Sequence, residues 1–528
     1  VMLGMKEPFT PLGFEIMGFM FPTIINTMTV QKRPLGTDFV KHAAGRIFVD
    51  MTYLMANGFV ARQFAGAFSG NDLPMAGAMR NLLDQHGKTF RRQGIRFKIP
   101  WGFLRYGFGV MGKFMAARKV APEDRYAAVI AIADEVHATL AHKAQSLQTV
   151  EEKLAFSRQA LVSAFQMSQD QAWYCTEFTN LPKIQAKITK KYGDRFDTSL
   201  LDQVFPGCIS VEMGVRLNQL AQHFDTTGEE PSADHPKILE FLAQFGHRSA
   251  IELDFGVARW SEDPAYVFNL VRSYMVDQMY ARNLAEIEET KAKIDQLLTD
   301  LYAATKADSG ERAAVKQRDQ IMEARRAAGM REYPKFAIVR MLALAREVML
   351  GVGREFQAAD RIDQPEDIFF LYSDEILQGQ DLRRRVARNR DAYRKEMART
   401  SIPRIVLNSG ETYYSAHTVD PNSNVLQGMP LSPGIYEGEV RVVFDPASSE
   451  LREGEVMVTE STNPAWTPLF MTAKGLIMEY GGPVSHGGIV AREYGIPAVV
   501  GISSATSVLH DGQRVRVNGE SGVVEILE

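Results

Sequence analysis

The apolar residues of this chain change their period near residue 400, and that break constrains the fold more than any other feature. From about Ala121 they recur at three- and four-residue steps. PEDRYAAVIAIADEVHATLAHKAQ carries Pro122 where a first-turn proline is tolerated and has its acids early. The same pattern runs through Thr149–Ser168, Ala265–Thr305, Arg312–Gly329, Phe336–Ala358 and Asp381–Arg399. After about residue 428 come short Val- and Ile-rich runs, GIYEGEVRVVFD, EVMVTE, GLIMEY, PAVVG, QRVRVNG and GVVEIL, with one helix-like segment, HGGIVAREYG, among them. At 528 residues the chain is expected to be multidomain. The pattern predicts a large, mainly α-helical domain over residues 1–400, a Ser-, Asn- and Pro-rich linker over 401–427, and a small β/β/α domain over 428–528. A linker of that composition lets the last domain move.

The last domain contains GGPVSHGGIVAREYGIPAVVG, from Gly481 to Gly501. Gly481 and Gly482 permit positive φ and close backbone approach, and Pro483 fixes a turn. Ser485, His486, Gly487 and Gly488 then open a helix whose first amides lack internal partners, a setting that welcomes an anion. A neutral imidazole nitrogen is nucleophilic near pH 7, and the phosphoramidate it forms keeps a high transfer potential. Gly487 and Gly488 would let amides meet phosphoryl oxygens, and Ser485 can donate another hydrogen bond. A histidine after a glycine pair is commonly only a turn residue. The length of the run lifts this one above that reading.

The run closely resembles the phosphohistidine segment of the mobile domain in phosphoenolpyruvate-utilising, dikinase-like enzymes, a group that includes pyruvate phosphate dikinase, phosphoenolpyruvate synthase and the rifampicin phosphotransferases. The resemblance implies that ATP, bound with magnesium on an ATP-grasp domain, phosphorylates His486, and that the swivelling domain carries the group to a distant acceptor. It assigns Gly481, Gly482, Ser485, Gly487 and Gly488 to the phosphate-holding turn. Arg492 falls in the family's ARE segment, as a phosphoryl contact or a structural ion pair. The chain ends within about 30 residues of the motif rather than entering a pyruvate-binding barrel, so the acceptor is expected on the preceding helical domain. STNPAWTPLF (Ser461–Phe470), FGHRSAIELDFGVARWSEDP (Phe245–Pro264), REYPKFAIVR (Arg331–Arg340) and PEDIFFLYSDEI (Pro365–Ile376) resemble rifampicin phosphotransferases in the same order.

REYPK is similar to the place where that family brings cations to the transferring group, which singles out Arg331 and Lys335 as catalytic. They share a helix face if Pro334 sits in the first turn. His247, Arg248, Glu252, Asp254 and Arg259 form a second polar group, read either as acceptor-activating or as ion pairing between helices. No glycine-rich nucleotide loop or mixed sheet is recognisable before residue 400. The ATP-grasp module is therefore expected as a truncated or separate partner, and this chain alone is expected to bind no cofactor and no metal.

Up to Lys119 there are 16 Lys and Arg against 6 Asp and Glu, within a chain of net charge −4. This basic front segment faces either an anionic partner or simply water. It also concentrates Phe9, Phe14, Met17, Phe19, Met20, Phe21 and Met28, followed by Trp101–Met115, which reads as adaptable core or as a hydrophobic acceptor pocket. Ile16–Gln31 is too interrupted to span a membrane, no nucleic-acid partner is suggested, and two cysteines fit a reducing cytoplasm. The opening VMLGMKEPF reads as an entry into a longer protein. The expected activity is phosphotransfer from His486 to a hydroxyl or carboxyl of a hydrophobic small molecule. The alternatives are a condensing enzyme that consumes a phosphorylated intermediate, and a ligand-sequestering protein.

Overall fold

The computed structural model describes residues 7–20, 40–52, 62, 73–92, 112–399, 402–413, 423–444, 446, 451–462, 466–482, 485–502 and 504–527. Its helical part contains α1 (Pro11–Gly18), α2 (Leu73–Arg92), α3 (Arg125–Ala144), α4 (Val150–Ala172), α5 (Leu181–Tyr192), α6 (Ile209–Thr227), α7 (Pro236–Phe245), α8 (Ala265–Met275), α9 (Met279–Ser309), α10 (Glu311–Met330), α11 (Tyr333–Ala358), α12 (Ser373–Gln378) and α13 (Leu382–Met397), with a hairpin of β1 (Val40–Ala43) and β2 (Arg46–Val49). Among these residues no helix is long and apolar enough to cross a membrane.

Helix α4 starts in a capping box: Thr149 accepts from the Glu152 amide, and Glu152 accepts from the Thr149 amide. Its buried stripe of Leu154, Ala160, Leu161, Ala164 and Met167 lies along α11, which buries Ala337, Met341, Ala345, Met349 and Val352 at helical spacing. Alanines on both surfaces let the two helices pack closely, and this pair forms the centre of the main core. Within it Arg346, only 1% exposed, donates to both oxygens of Glu262 at 2.6 and 2.7 Å and to the Phe255 carbonyl at 3.1 Å. This bond set holds the irregular loop 246–264 onto α11. Replacing Arg346 with Met is expected to destabilise the fold by about 1–3 kcal/mol, because the Phe255 carbonyl loses its donor and Glu262 loses two charge-assisted bonds while remaining partly solvated. Denaturant unfolding measures it.

Two sequence expectations change here. The helix expected over Ala265–Thr305 breaks at residues 276–278, where Asp277 and Gln278 take positive φ of 49° and 54° and split it into α8 and α9. The expected linker is also partly folded. β3 (Ile405–Val406) and β4 (Thr412–Tyr413) form a hairpin whose Ile405 and Tyr413 pack on Met75, Met79 and Leu82 of α2. Residues 414–422 lie outside the described residues. In the front segment Phe9, Met17 and Met20 are buried in the main core, and Phe19 lies beneath Arg158. Phe21, Met28 and residues 101–111 lie outside the described residues, as do Pro483 and residues 463–465.

The C-terminal domain is one sheet of β5 (Val425–Gln427), β6 (Met429–Ser432), β7 (Ile435–Val442), β8 (Val456–Thr459), β9 (Gly475–Met478), β10 (Ala498–Val500), β11 (Arg514–Asn518) and β12 (Val523–Ile526), in the order β5-β12-β11-β7-β8-β9-β10-β6. β7 through β10 run parallel, and β8, β9 and β10 are buried along their whole length. That is why they read as unbroken apolar runs. Helices α14 (Thr467–Phe470), α15 (His486–Glu493) and α16 (Ala505–Val508) complete the domain. α15 lies in the crossover between parallel β9 and β10, so its first residue sits just beyond the carboxyl end of β9.

Candidate functional site

Gly481, at φ 138°, turns the chain out of β9. The Gly482 amide donates to Ser485 Oγ at 3.1 Å, and Ser485 Oγ donates back to the Gly482 carbonyl at 2.7 Å. The same Oγ caps α15 by accepting from the Gly488 amide at 3.3 Å. In this arrangement the Ser485 hydroxyl and the Gly488 amide are both engaged within the turn. A Cβ on Gly487 would collide with Thr462 and Met478, and one on Gly488 with the Gly482 carbonyl. Close packing accounts for both glycines. Arg492 donates to the Leu431 carbonyl at 3.2 Å.

The imidazole of His486 is 6% exposed. Its Nε2 lies 3.1 Å from Thr467 Oγ1 of α14, and its Nδ1 lies 3.4 Å from Glu332 Oε2 of the helical domain. Burial pushes the imidazole below its ordinary pKa, which the Glu332 charge opposes and the Lys335 charge reinforces, so the ring is neutral at pH 7. Burial would raise Glu332, but the hydrogen bond with His486 and the positive charges of Arg331 and Lys335 outweigh it and hold the carboxyl down at about 2. An ionised carboxylate beside Nδ1 places the ring proton there and leaves the Nε2 lone pair for chemistry.

Glu332 occupies the N-cap position of α11 without a side-chain capping bond, with Pro334 in the first turn as expected. Arg331, however, ends α10, so the two cations flank a turn between helices rather than share one helix face. The Arg331 guanidinium stacks over Phe178 and Phe205 at 5.6 and 6.0 Å, and its Nε is shielded with no hydrogen-bond partner among the described residues. Lys335 Nζ lies 3.5 Å from Glu252 Oε2, and Glu252 also accepts from Arg248 at 3.0 Å.

The second polar group therefore divides. Arg248 and Glu252 extend the charged cluster around Lys335. Asp254 accepts from the Thr10 amide and hydroxyl at 2.6 and 2.8 Å and from the Gly256 amide at 2.8 Å, which clamps α1 to the loop. Arg259 donates to Ser249 Oγ and to the carbonyls of Glu252 and Asp254. Asp254 and Arg259 are structural. His247 is buried against Phe336, 4.4 Å between ring centroids, and burial followed by the charge of Arg248 holds it neutral.

Sequence reasoning missed Glu332 and Thr467, although both lie inside segments it had marked, REYPK and STNPAWTPLF. A carboxylate between two expected cations was the available signal. It also passed over Glu493, the last residue of α15. Glu493 is buried against Cys208 Sγ at 3.4 Å, and burial with the Glu332 charge pushes it up to about 8.

Residues 451–522 match the PEP-utilising enzyme mobile domain, and residues 176–332 match the rifampicin phosphotransferase fourth domain. The chain is 31% identical over 379 residues to a rifampicin phosphotransferase of Streptomyces sviceus, an alignment covering 65% of this chain and 42% of that one. It is 40% identical over 304 residues to one of Streptomyces sp, covering 57% and 31%. With one of Bacillus cereus it shares 31% over 375 residues, covering 65% and 43%. The chain spans less than half the length of these curated relatives.

Proposed function

We propose that this chain, which joins a rifampicin-phosphotransferase-type fourth domain to the mobile domain of PEP-utilising enzymes, is the carrier and acceptor half of a phosphotransferase. ATP and magnesium are bound by an ATP-grasp module, on a longer polypeptide or a separate subunit, and His486 Nε2 takes a phosphoryl group there. The mobile domain then docks on the helical domain and the group passes to an acceptor hydroxyl or carboxyl. In that step the P–Nε2 bond breaks, the P–O bond to the acceptor forms, Nε2 regains its lone pair, and the acceptor proton leaves.

The observation that carries this reading is the junction of His486 with Glu332, flanked by Arg331 and Lys335. It supplies a neutral nucleophilic imidazole, a carboxylate that sets its tautomer, and two cations for the charge on the transferring group. At a pKa of about 2 Glu332 is a poor base, so its part is orientation. Thr467, now on Nε2, is placed to donate to a phosphoryl oxygen once Nε2 is occupied.

A cavity of about 570 Å³, lined by Ile132, Val136, Met167, Trp173 and Tyr174 and, among its polar groups, by Lys113, Glu135, Gln159 and Asp170, would suit an acceptor with both apolar and polar faces. Trp173 and Tyr174 open the 3₁₀ segment Trp173–Asn180, whose Phe178 underlies Arg331. That size suits a drug-sized molecule. Incubation with ATP and the ATP-grasp module is expected to place acid-labile phosphate on His486, located by mass spectrometry. Glu332→Gln is expected to slow turnover by about a hundredfold or more, because a neutral amide no longer enforces the Nδ1–H tautomer. Phosphate found elsewhere, or none at all, rejects the reading.

A further inference from the structure

Helix α6 ends at Gly228, whose φ of 70° turns the chain back toward the start of α7. The eight residues from Gly228 to His235 close a loop that brings together three side chains far from one another in type of role and close in space. His223 stands four residues before the end of α6, Glu229 follows Gly228, and His235 caps α7. The His223 and His235 Nε2 atoms converge on one oxygen, Glu229 Oε2, at 3.3 and 3.1 Å, and all three ligand atoms lie within 4.8 Å of one another. The rings are held in place from beneath: Phe224, fully buried, meets His223 at 5.3 Å and His235 at 4.8 Å between centroids.

We propose that His223, Glu229 and His235 bind a zinc ion that clips α6 to α7, a site independent of the phosphohistidine chemistry. Two imidazole nitrogens and one carboxylate oxygen are a ligand set suited to zinc. Zinc–ligand bonds of about 2.0–2.2 Å in a tetrahedron put neighbouring ligand atoms about 3.3–3.5 Å apart, which the two observed separations from Glu229 nearly match already. Glu229 is 53% exposed, so the fourth position opens to water. His235 Nδ1 accepts from the Lys237 amide at 3.2 Å, which places that ring's proton on Nε2 in the metal-free chain. Zinc takes the Nε2 position, the proton moves to Nδ1, and the Lys237 amide is released. The sequence reading, which expected no metal, rested on the lack of a thiolate cluster; here the ligands are 6 residues apart at each step, across a turn.

The clip has a structural consequence. α7 buries Ile238, Phe241 and Phe245 in the main core, and α6 carries Asn218, which donates to Met471 of the mobile domain at 3.2 Å. Zinc bound to the folded chain only is expected to raise its melting temperature in proportion to occupancy. The test is a zinc titration of the untagged, chelator-stripped 528-residue chain by calorimetry, with thermal melting alongside. One saturable equivalent and a higher melting temperature are expected. His223→Ala and Glu229→Gln should each weaken binding by about tenfold or more and abolish the thermal shift, with the metal-free circular dichroism unchanged. Glu229 is exposed, so its variant keeps the test valid if the His223 variant misfolds. Cobalt(II) in place of zinc should give the visible spectrum of a low-coordinate nitrogen and oxygen site. Absence of saturable binding in the parent chain, or undiminished binding in the Glu229 variant, overturns the proposal.

Discussion

Arg331→Met is expected to slow phosphoryl transfer out of phospho-His486 by about 10³-fold or more while leaving the loading of His486 from ATP unchanged. The asymmetry follows from which domain holds the cation. Arg331 belongs to the helical domain and acts on Glu332 beside the histidine, whereas in the proposed cycle loading takes place on an ATP-grasp module. Its guanidinium is stacked on Phe178 and Phe205, so its direction is set before the phosphoryl group arrives, and its Nε has no hydrogen-bond partner among the described residues to surrender. Preorganised charge of this kind acts on the transition state without a cost of reorientation. Methionine keeps much of the apolar stem between the two rings, so the packing survives. Lys335→Met should fall in the same direction by a smaller factor, because Glu252 already holds Lys335 at 3.5 Å. Chasing preloaded, labelled phosphohistidine with acceptor separates the two half-reactions. An equal loss in both would place Arg331 outside the transfer step.

The second large effect is on docking itself. Glu493 lies on the mobile domain with its carboxyl against Cys208 of the helical domain, and its backbone carbonyl accepts from the Val204 amide at 3.3 Å. Burial, with the Glu332 charge beside it, raises its pKa to about 8 against the opposing charges of Arg331 and Arg492 and the Cys208 contact. Burial likewise keeps the Cys208 thiol and the Tyr494 phenol protonated. Undocking returns Glu493 to water and to an ordinary carboxyl pKa. Between that value and about 8 the docked state holds a proton that the undocked state has released. Docking is therefore fully favoured below the ordinary carboxyl range and weakens as pH rises through it toward 8, by on the order of 3 kcal/mol at neutral pH.

Glu493→Gln keeps the shape, removes the charge, and should both strengthen docking at neutral pH and flatten its pH dependence. Interdomain energy transfer between dyes on the two domains, followed from pH 5 to 9, reads it. A docked fraction that does not vary with pH in the parent chain sinks the idea. Tight docking also carries a penalty, because a domain that must leave to be recharged turns over more slowly when it is held. Glu493→Gln is expected to lower steady-state turnover under conditions where domain exchange limits the rate.

The local patterns were read correctly where the physics is local. Helical spacing marked α4 and α11 because each buries one stripe, and the apolar runs marked β8, β9 and β10 because both faces of those strands are covered. The break at residues 276–278 had no comparable signal, since ordinary Asp and Gln residues take the positive φ there. Asp254 looked like a candidate acid or base from its neighbours in sequence. Its partner is Thr10, 244 positions away, which no reading of the segment 245–264 contains.

By itself, then, the sequence determined the change of architecture near residue 400, the glycine-flanked His486 at the head of a helix, and the cations on either side of Glu332. Each is written in adjacent residues, where backbone geometry and periodicity act. The tertiary structure alone decided that the Ser485 hydroxyl and the Gly488 amide bond within the turn and that Asp254 clamps α1. It also decided that His486 meets Glu332 across 154 positions of chain. A pairing at that separation depends on how two domains pack, and the carboxylate that fixes the histidine's tautomer leaves no periodicity, spacing or composition by which to be found.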